Sequence, residues 1–370
     1  MMRLGFDACA RSEGTTVLNL EAFGWNEFFA ENFAAFAREG YGVGRVFLQH
    51  NKIYMLYTEE GDLPAEPTGR MLYQATGSVD LPAVGDWVAI RVRDSERKAT
   101  IHEILPRKSK FSRKTTGGRT DEQIVAANID TLFVVVGLDH DFNLRRIERY
   151  LIMARESGAR PVVILNKADV SEEVEERRRE VEAVALEVPV LLLSAKQSRG
   201  IEQLLPYIGE GQTVSLVGSS GVGKSTIINR LLGEDKQKTQ DVRAGDERGK
   251  HTTTHRELLQ LPTGGLIIDT PGMRELQLLV RDQGLRDTFD DIEALAASCH
   301  FRDCQHRNEP DCAVRDALAS GELDAERFNN YRKMQEEMAQ LAAKQNRRAV
   351  EAEKERVKKL HHTLKKYKKR

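Results

Sequence analysis

The segment GSSGVGKST, Gly218 to Thr226, carries the glycine spacing and the Lys-Ser pair of a phosphate-binding loop. Its glycines let backbone N–H groups turn toward phosphate oxygens, Lys224 neutralises the outer phosphates, and the Ser225 hydroxyl is placed to ligate magnesium. Ser219, Ser220, Gly221, Val222 and Gly223 complete the expected cradle, with Thr226 just behind it. The apolar run TVSLV precedes the loop, and a stretch bearing Ile227, Ile228, Leu231 and Leu232 at helical spacing follows it. That is the strand-loop-helix context the motif needs.

NKAD, Asn166 to Asp169, ends the apolar run PVVIL. An aspartate accepts from two adjacent donors on the guanine edge, which adenine lacks, while Asn166 and the aliphatic stem of Lys167 hold the ring. Four residues alone are also compatible with a simple turn. SAK, comprising Ser194, Ala195 and Lys196, closes another apolar run, VPVLLL, and is expected in the same crevice at the carboxyl ends of parallel strands. DTPG, Asp269 to Gly272, follows GLIID; Asp269 is expected to hold magnesium through water and the Gly272 N–H to sense the terminal phosphate.

The residue after DTPG is Met273, where the common GTPases carry a glutamine that orients the attacking water. A thioether cannot do this. His251, in RGKHTTTHR, is the candidate for that catalytic role, with a surface histidine in a flexible loop as the plain alternative. Thr252 to Thr254 offer a further magnesium-ligating hydroxyl, assigned to Thr253. The order of the parts is unusual: NKAD precedes the phosphate loop, which precedes DTPG, whereas an ordinary GTPase begins with the phosphate loop. A compact domain tolerates such rotation when its original termini lie close together. The chain therefore resembles a circularly permuted GTPase.

Cys299, Cys304, His306 and Cys312 form C-x4-C-x-H-x5-C, four soft donors in a short span suited to tetrahedral zinc. A complete ligand set leaves no open position, so one structural zinc is expected. The alternative is a set of reduced cysteines in a small core. His300 competes as a ligand, but beside Cys299 it would strain the chelate. Cys9 reads as an ordinary thiol.

The elements that position these residues follow from the apolar pattern. Between about Gly40 and Leu105, short alternating or β-branched runs predict a small closed β-barrel of the OB type. Trp87 is expected in its core. From Ile129 onward, the runs IDTLFVVVGL, RPVVILNK, VPVLLLSA, TVSLVG and GLIIDT alternate with helical patterns, as in a doubly wound α/β domain with strands covered on both faces. Asn143 is expected to cap a helix carrying Leu144, Ile147 and Leu151 that ends at Gly158; Ser171 is expected to cap the next. After Gly272 the pattern is helical. The expected division is an N-terminal extension (1–38), an RNA-binding barrel (39–108), the permuted GTPase domain (109–285), and a helical zinc-binding domain with a basic tail (286–370).

With 370 residues and 40% hydrophobic content, two or three domains with real cores are expected. No apolar run approaches a membrane span and the first twenty residues lack a signal-peptide pattern, so a soluble, cytoplasmic protein is expected. Four cysteines argue against a disulfide framework. The formal charge of −1 hides an asymmetry: Arg332 to Arg370 holds 14 Lys and Arg against 5 Glu. Arg107, Lys108, Lys110, Arg113 and Lys114 form a second basic stretch. Both read as RNA contacts or as solvated faces.

The rotated motif order, the run RKTTGGRTDEQIVAANIDTLFVV, the GKHTTTHRE segment and the Cys/His cluster together resemble the ribosome small subunit-dependent GTPase A family, RsgA or YjeQ, over roughly Gly40 to Arg315. LEAFGWNEFFAENFAAFAREGYGVGRV is similar to the front end of its members. The resemblance implies an OB-fold, a permuted GTPase core and a C-terminal zinc domain. It implies GTP hydrolysis stimulated by the small ribosomal subunit and a role in its late maturation near the decoding region, with rRNA contact. In the family the histidine before the Thr run replaces the missing glutamine, which maps onto His251. Gly221 stands where potassium-dependent relatives have Asn, so no strong potassium requirement is expected. A monomer with no DNA or membrane partner is expected. Other readings are an RNA-binding scaffold whose nucleotide is a slow switch or structural element, and an ATP-dependent NTPase, which NKAD disfavours.

Overall fold

The computed structural model describes residues 19–50, 53–114, 122–233, 256–269, 282–340 and 342–343. His251, Thr253, Gly272, Met273, Cys9 and the Lys-rich end of the chain lie outside the described residues, and the side chains of Arg113 and Lys114 are not described.

After a 3-10 turn (Leu20–Phe23), α1 (Glu27–Arg38) leads into β1 (Gly42–His50), β2 (Ile53–Thr58), β3 (Gly61–Pro67), α2 (Gly69–Gln74), β4 (Trp87–Arg93) and β5 (Lys98–Ile104). The five strands pair in the order β1-β2-β3-β5-β4 and close back onto β1; only β3 and β5 run parallel. This is the OB-like barrel that the alternating runs predict. Val46, Tyr54, Leu56, Ala65, Val88, Ile90, Ala99 and Ile101 fill it. Trp87 is fully buried, with the rings of Trp25 and Phe29 from the α1 region against it at 4.8 and 5.9 Å. The N-terminal helix is thereby part of the barrel's packing.

The hairpin β6 (Lys110–Lys114) and β7 (Glu122–Ala127) follows the barrel. Next come β8 (Thr131–Gly137), α3 (Leu144–Ser157), β9 (Arg160–Asn166), α4 (Val174–Ala185), β10 (Val190–Leu192), β11 (Thr213–Val217), α5 (Lys224–Leu232), β12 (Arg256–Gln260) and β13 (Leu266–Asp269). Their sheet order is β10-β9-β8-β11-β13-β12, parallel except for β12. The chain runs outward from β8 to one edge and returns to the centre at β11, so the strand order reverses between β8 and β11. Crevices of open α/β sheets form at such a reversal. Asn143 caps α3 through its side chain, accepting from the Arg146 N–H at 3.0 Å, and Gly158 ends it in the left-handed region, as expected. Ser171 does not cap α4: its hydroxyl takes the Glu173 N–H at 3.3 Å in a tight turn, and the helix begins at Val174.

Barrel and sheet are joined. β1 pairs antiparallel with β12, and Arg45 of β1 is buried where the two meet. Its guanidinium donates to the carbonyls of Phe23, Gly85 and Asn128 and to the Thr213 hydroxyl, tying turn, barrel, hairpin and central strand together. Burial pulls its pKa down to about 10, so it remains a cation at neutral pH. Three cations of the basic stretch after the barrel have partners within the fold. Arg107 makes two 2.7 Å bonds to the buried Asp86 and donates to the carbonyls of Val79 and Leu81. Lys108 lies 5.3 Å from the Phe28 and Phe29 rings, and Lys110 pairs with Glu122 at 3.0 Å. A desolvated carboxylate demands a partner, and Arg107 is the fork in reach.

The helices α6 (Asp282–Thr288), α7 (Asp290–Ala297), α8 (Ala313–Ser320) and α9 (325–340) pack around Leu285, Phe289, Ile292, Val314, Phe328 and Tyr331. Ile152 of α3 completes that cluster. The expected division at 285/286 falls inside α6. Among the described residues no helix is long and apolar enough to cross a membrane.

Candidate nucleotide and zinc sites

Val217 ends β11, and residues 218–223 turn into α5. Gly218 and Gly223 have φ of 150° and 101°, and an added Cβ would meet the Val135 carbonyl and the Asn166 amide, each at 2.2 Å. No side chain could be accommodated at either point, which is the physical reason for glycine there. Lys224 opens α5 and donates back to the carbonyls of Gly218 and Ser219 at 2.7 and 2.6 Å, so its ammonium stays with the loop. The first-turn N–H groups of α5 and its dipole favour an anion at this end. Ser225 and Thr226 lie in that turn.

NKAD leaves β9 two strands from the loop. Asn166 is buried, and its side chain joins two other motifs: its amide donates to the Val222 carbonyl at 2.8 Å, and its oxygen accepts from the Ala195 N–H at 2.9 Å. Lys167, in the left-handed region at φ 67°, pairs with Asp139 at 2.5 Å. Burial alone would raise the Asp139 carboxyl, but the Lys167 ammonium and the Asp141 N–H hold it below its ordinary value. Asp169 accepts from the Ser194 hydroxyl at 2.6 Å. Ala195 and Lys196 present carbonyls to Arg230 of α5 at 3.3 and 3.5 Å, and the Lys196 side chain is exposed. Asp269 ends β13, whose register with β11 sets Ser215 beside Ile268, so it lies at the strand end next to the phosphate loop. These contacts bring NKAD, SAK and the glycine-rich loop together, with Asp269 at the end of the strand beside the loop.

The sequence places Asn166 at the wall of the base site; its part as the knot between loop and SAK is not legible there, because Val222 is 56 residues away. Asn166→Ala leaves a buried carbonyl and N–H unpaired, at about 1–3 kcal/mol for each. GDP affinity, measured by calorimetry, should fall at least tenfold; wild-type affinity would refute the knot.

In the helical unit, Cys299, Cys304, His306 and Cys312 place their donor atoms within 4.8 Å of one another. Cys299 and Cys312 sulfurs are 3.9 Å apart, close to the ~3.8 Å edge of a tetrahedron with ~2.3 Å zinc–sulfur bonds. His306 turns Nδ1 to these sulfurs at 3.6 and 3.4 Å. His300 is not in the cluster; its ring meets Phe301 edge-on at 4.7 Å. Burial would raise the Cys299 thiol, yet N–H groups of Val314 and Ala313 at the start of α8, with Cys312, bring it below the ordinary value, which favours the thiolate a metal needs. Burial lowers His306, favouring the neutral ring. The residues fit a four-coordinate zinc that would pin the loop to α8.

Glu309 was not singled out from sequence. Its carboxylate accepts from the N–H groups of Gln305, Arg307 and Asn308 at 3.0, 2.8 and 3.0 Å, and its own backbone N–H, with these three donors, pulls its pKa from 4.5 to about 2. A depressed carboxyl stabilises the loop fully above its unfolded pKa and loses hold as pH falls through the folded one, here between about 4.5 and 2. Glu309→Ala should speed zinc loss to a chelator about tenfold at neutral pH. An unchanged rate, read with a metal indicator, would show that the carboxylate does not hold the loop.

A sequence profile of the RsgA GTPase family matches residues 104–279. A small ribosomal subunit biogenesis GTPase RsgA from Opitutus terrae is 46% identical over 353 residues, covering 93% of this chain and 96% of its own. The chain belongs to the RsgA GTPase family. A relative named RsgA 1 from Oceanobacillus iheyensis is 45% identical over 319 residues, covering 86% and 91%. Among solved structures, YjeQ from Thermotoga maritima aligns with a TM-score of 0.62 at 28% identity, covering 81% of this chain and 99% of its own. YloQ, described as a circularly permuted GTPase, aligns at 0.58 and 22% identity, covering 81% and 96%, which bears on the fold alone. A second profile, described as a 50S ribosome-binding GTPase, starts at Thr213, the first residue of β11. As an RsgA GTPase the chain is a GTP hydrolase, a class whose nucleotide carries magnesium.

Proposed function

We propose that this GTPase binds the small ribosomal subunit and its rRNA and hydrolyses GTP to GDP and phosphate during late small-subunit maturation, near the decoding region. The observation that carries the guanine-nucleotide part is the Asn166 side chain, which draws the phosphate loop, NKAD and SAK into one cleft. Ribosomal assembly is the work named for its relatives. In this reading Asp169 selects guanine, Asn166, Lys167, Ser194, Ala195 and Lys196 frame the base, and residues 218–226 with Gly272 surround the phosphates. Ser225, Thr253 and Asp269 hold magnesium, which when bound neutralises charge on the phosphates. His251 orients the attacking water. The protein acts in the cytoplasm as a monomer, with an RNA-binding barrel and one structural zinc.

GTP favours the subunit-bound state and GDP release, a population shift that requires different affinities in the two states. The helical unit is fastened to α3, whose first turn also touches the phosphate loop through Arg146. That supports a connection between the phosphate end and the zinc-bearing helices. Met273 favours a second reading, a scaffold with a slow nucleotide switch.

Turnover of GTP and of ATP, with and without purified small subunits, tests the proposal. GTP-specific turnover that rises with subunits is the expected result. Turnover indifferent to subunits would favour the scaffold, and equal use of ATP would refute guanine selection. Asp169→Asn should abolish the preference for guanine, because an amide cannot accept from both donors. Competition between GDP and ADP reads this out; surviving discrimination would place the reader elsewhere.

A further inference from the structure

The loop from Leu138 to Asn143 and the first turns of α3 touch both ends of the cleft. At the base end, Asp139 takes the Lys167 ammonium, and Arg177 of α4 donates to the carbonyls of Leu138 and Asp139, each at 3.3 Å. At the phosphate end, Arg146 donates to the Asp141 carboxylate at 2.7 Å and to the Ser219 hydroxyl at 2.6 Å. The Ser219 carbonyl meanwhile accepts from Lys224. Ser219 is thus held by its side chain to α3 and by its backbone to α5.

We propose that Arg146 is a positioning residue for nucleotide binding: with Asp141 orienting its guanidinium, it fixes the phosphate loop through Ser219 in a conformation ready for nucleotide. This rests on residues 218–226 being the phosphate loop. The bond gives α3 nothing it lacks, since Asn143 already caps that helix. In the ion pair Arg146–Asp141 the side chains are 39% and 31% exposed, and such a pair stabilises a fold little. The loop, by contrast, gains. Gly218, Gly221 and Gly223 all occupy left-handed or related conformations, and glycine loses more freedom on ordering than any other residue. An external brace lowers the ordering cost that nucleotide binding would otherwise meet. The loop meets substrate, transition state and product alike, so losing the brace weakens binding uniformly: KM and the GDP dissociation constant rise while kcat stays.

Calorimetry with GDP and steady-state turnover of GTP, on the full chain with small subunits present in the turnover assay, test this for Arg146→Ala, Arg146→Lys, Ser219→Ala and the double variant Arg146→Ala/Ser219→Ala. The expected result is a rise of about tenfold in Kd and KM for Arg146→Ala, the scale of a charge-assisted hydrogen bond, with kcat within about twofold. Arg146→Lys should recover part of the loss, and the double variant should bind no worse than the weaker single one, because both remove one interaction. Unchanged Kd and KM, a fall in kcat alone, or additive losses would overturn the proposal. Should Arg146→Ala fail to fold, Ser219→Ala decides, and wild-type affinity there overturns it. A wild-type chain that takes up no GDP would instead refute the nucleotide site itself.

Discussion

Glu148→Ala is expected to destabilise the C-terminal helical unit by about 3 kcal/mol. Glu148 has no exposed side-chain surface, and it accepts from Arg327 at 2.7 Å, from Asn330 and from Arg145 at 3.3 Å. Removing one partner of a buried pair leaves the other charge desolvated, which costs about 3–5 kcal/mol. The lower end applies because Arg327 keeps Asp291 at 2.7 Å, and Asp291 is still 38% exposed. Ile152 lies on the same side of α3 and belongs to the helical cluster, so the α3 contact is a main attachment of α6 to α9 to the GTPase sheet. Glu148→Gln keeps the shape and an acceptor for Asn330 and should cost less than Glu148→Ala. Hydrogen exchange of residues 282–340 reports the change, with exchange in the sheet strands as an internal reference. Native protection in Glu148→Ala would show that the ion pair does not fasten the unit.

His251→Ala is expected to retain GTP affinity while losing subunit-stimulated turnover by about 10²- to 10⁴-fold, the range of a positioned proton acceptor. The argument comes from chemistry along the chain. Met273 has no group to hold a water, and His251 sits in the Thr-rich segment ahead of β12 with hydroxyls beside it. His251→Gln, which can orient water without taking a proton, should recover part of the rate if orientation is the main contribution. Single-turnover hydrolysis with purified small subunits separates chemistry from binding. Unchanged turnover, or a loss of GTP affinity in place of turnover, would remove the assignment.

Much of the architecture was legible in sequence because parallel strands covered on both faces leave continuous apolar runs, and half-covered barrel strands leave alternation. Both signals are local. Starts of helices were less secure. Asn143 caps α3 as its position suggests, but Ser171 spends its hydroxyl on a turn, and nothing near it in sequence distinguishes the two cases. Charge was the poorest guide. Arg107 reads as an RNA contact or a solvated cation, and the fold makes it the counter-charge of buried Asp86, a residue 21 positions earlier.

Residue types and short spacings, by themselves, pointed to the chemistry: the glycines and Lys224 toward phosphate, the Asp169 carboxylate toward a guanine edge, and three thiols with one imidazole toward zinc. Each depends on bonding geometry within a few residues, so the chain carries it wherever the fold puts it. Tertiary structure alone decided how these pieces are held. Asn166 reaches Val222 across 56 residues, Arg146 reaches Ser219 across 73, Arg45 reaches Thr213 across 168, and Arg327 reaches Glu148 across 179. A polar group buried without water must find a partner, and which partner is within 3 Å depends on how strands and helices pack, which no local pattern encodes.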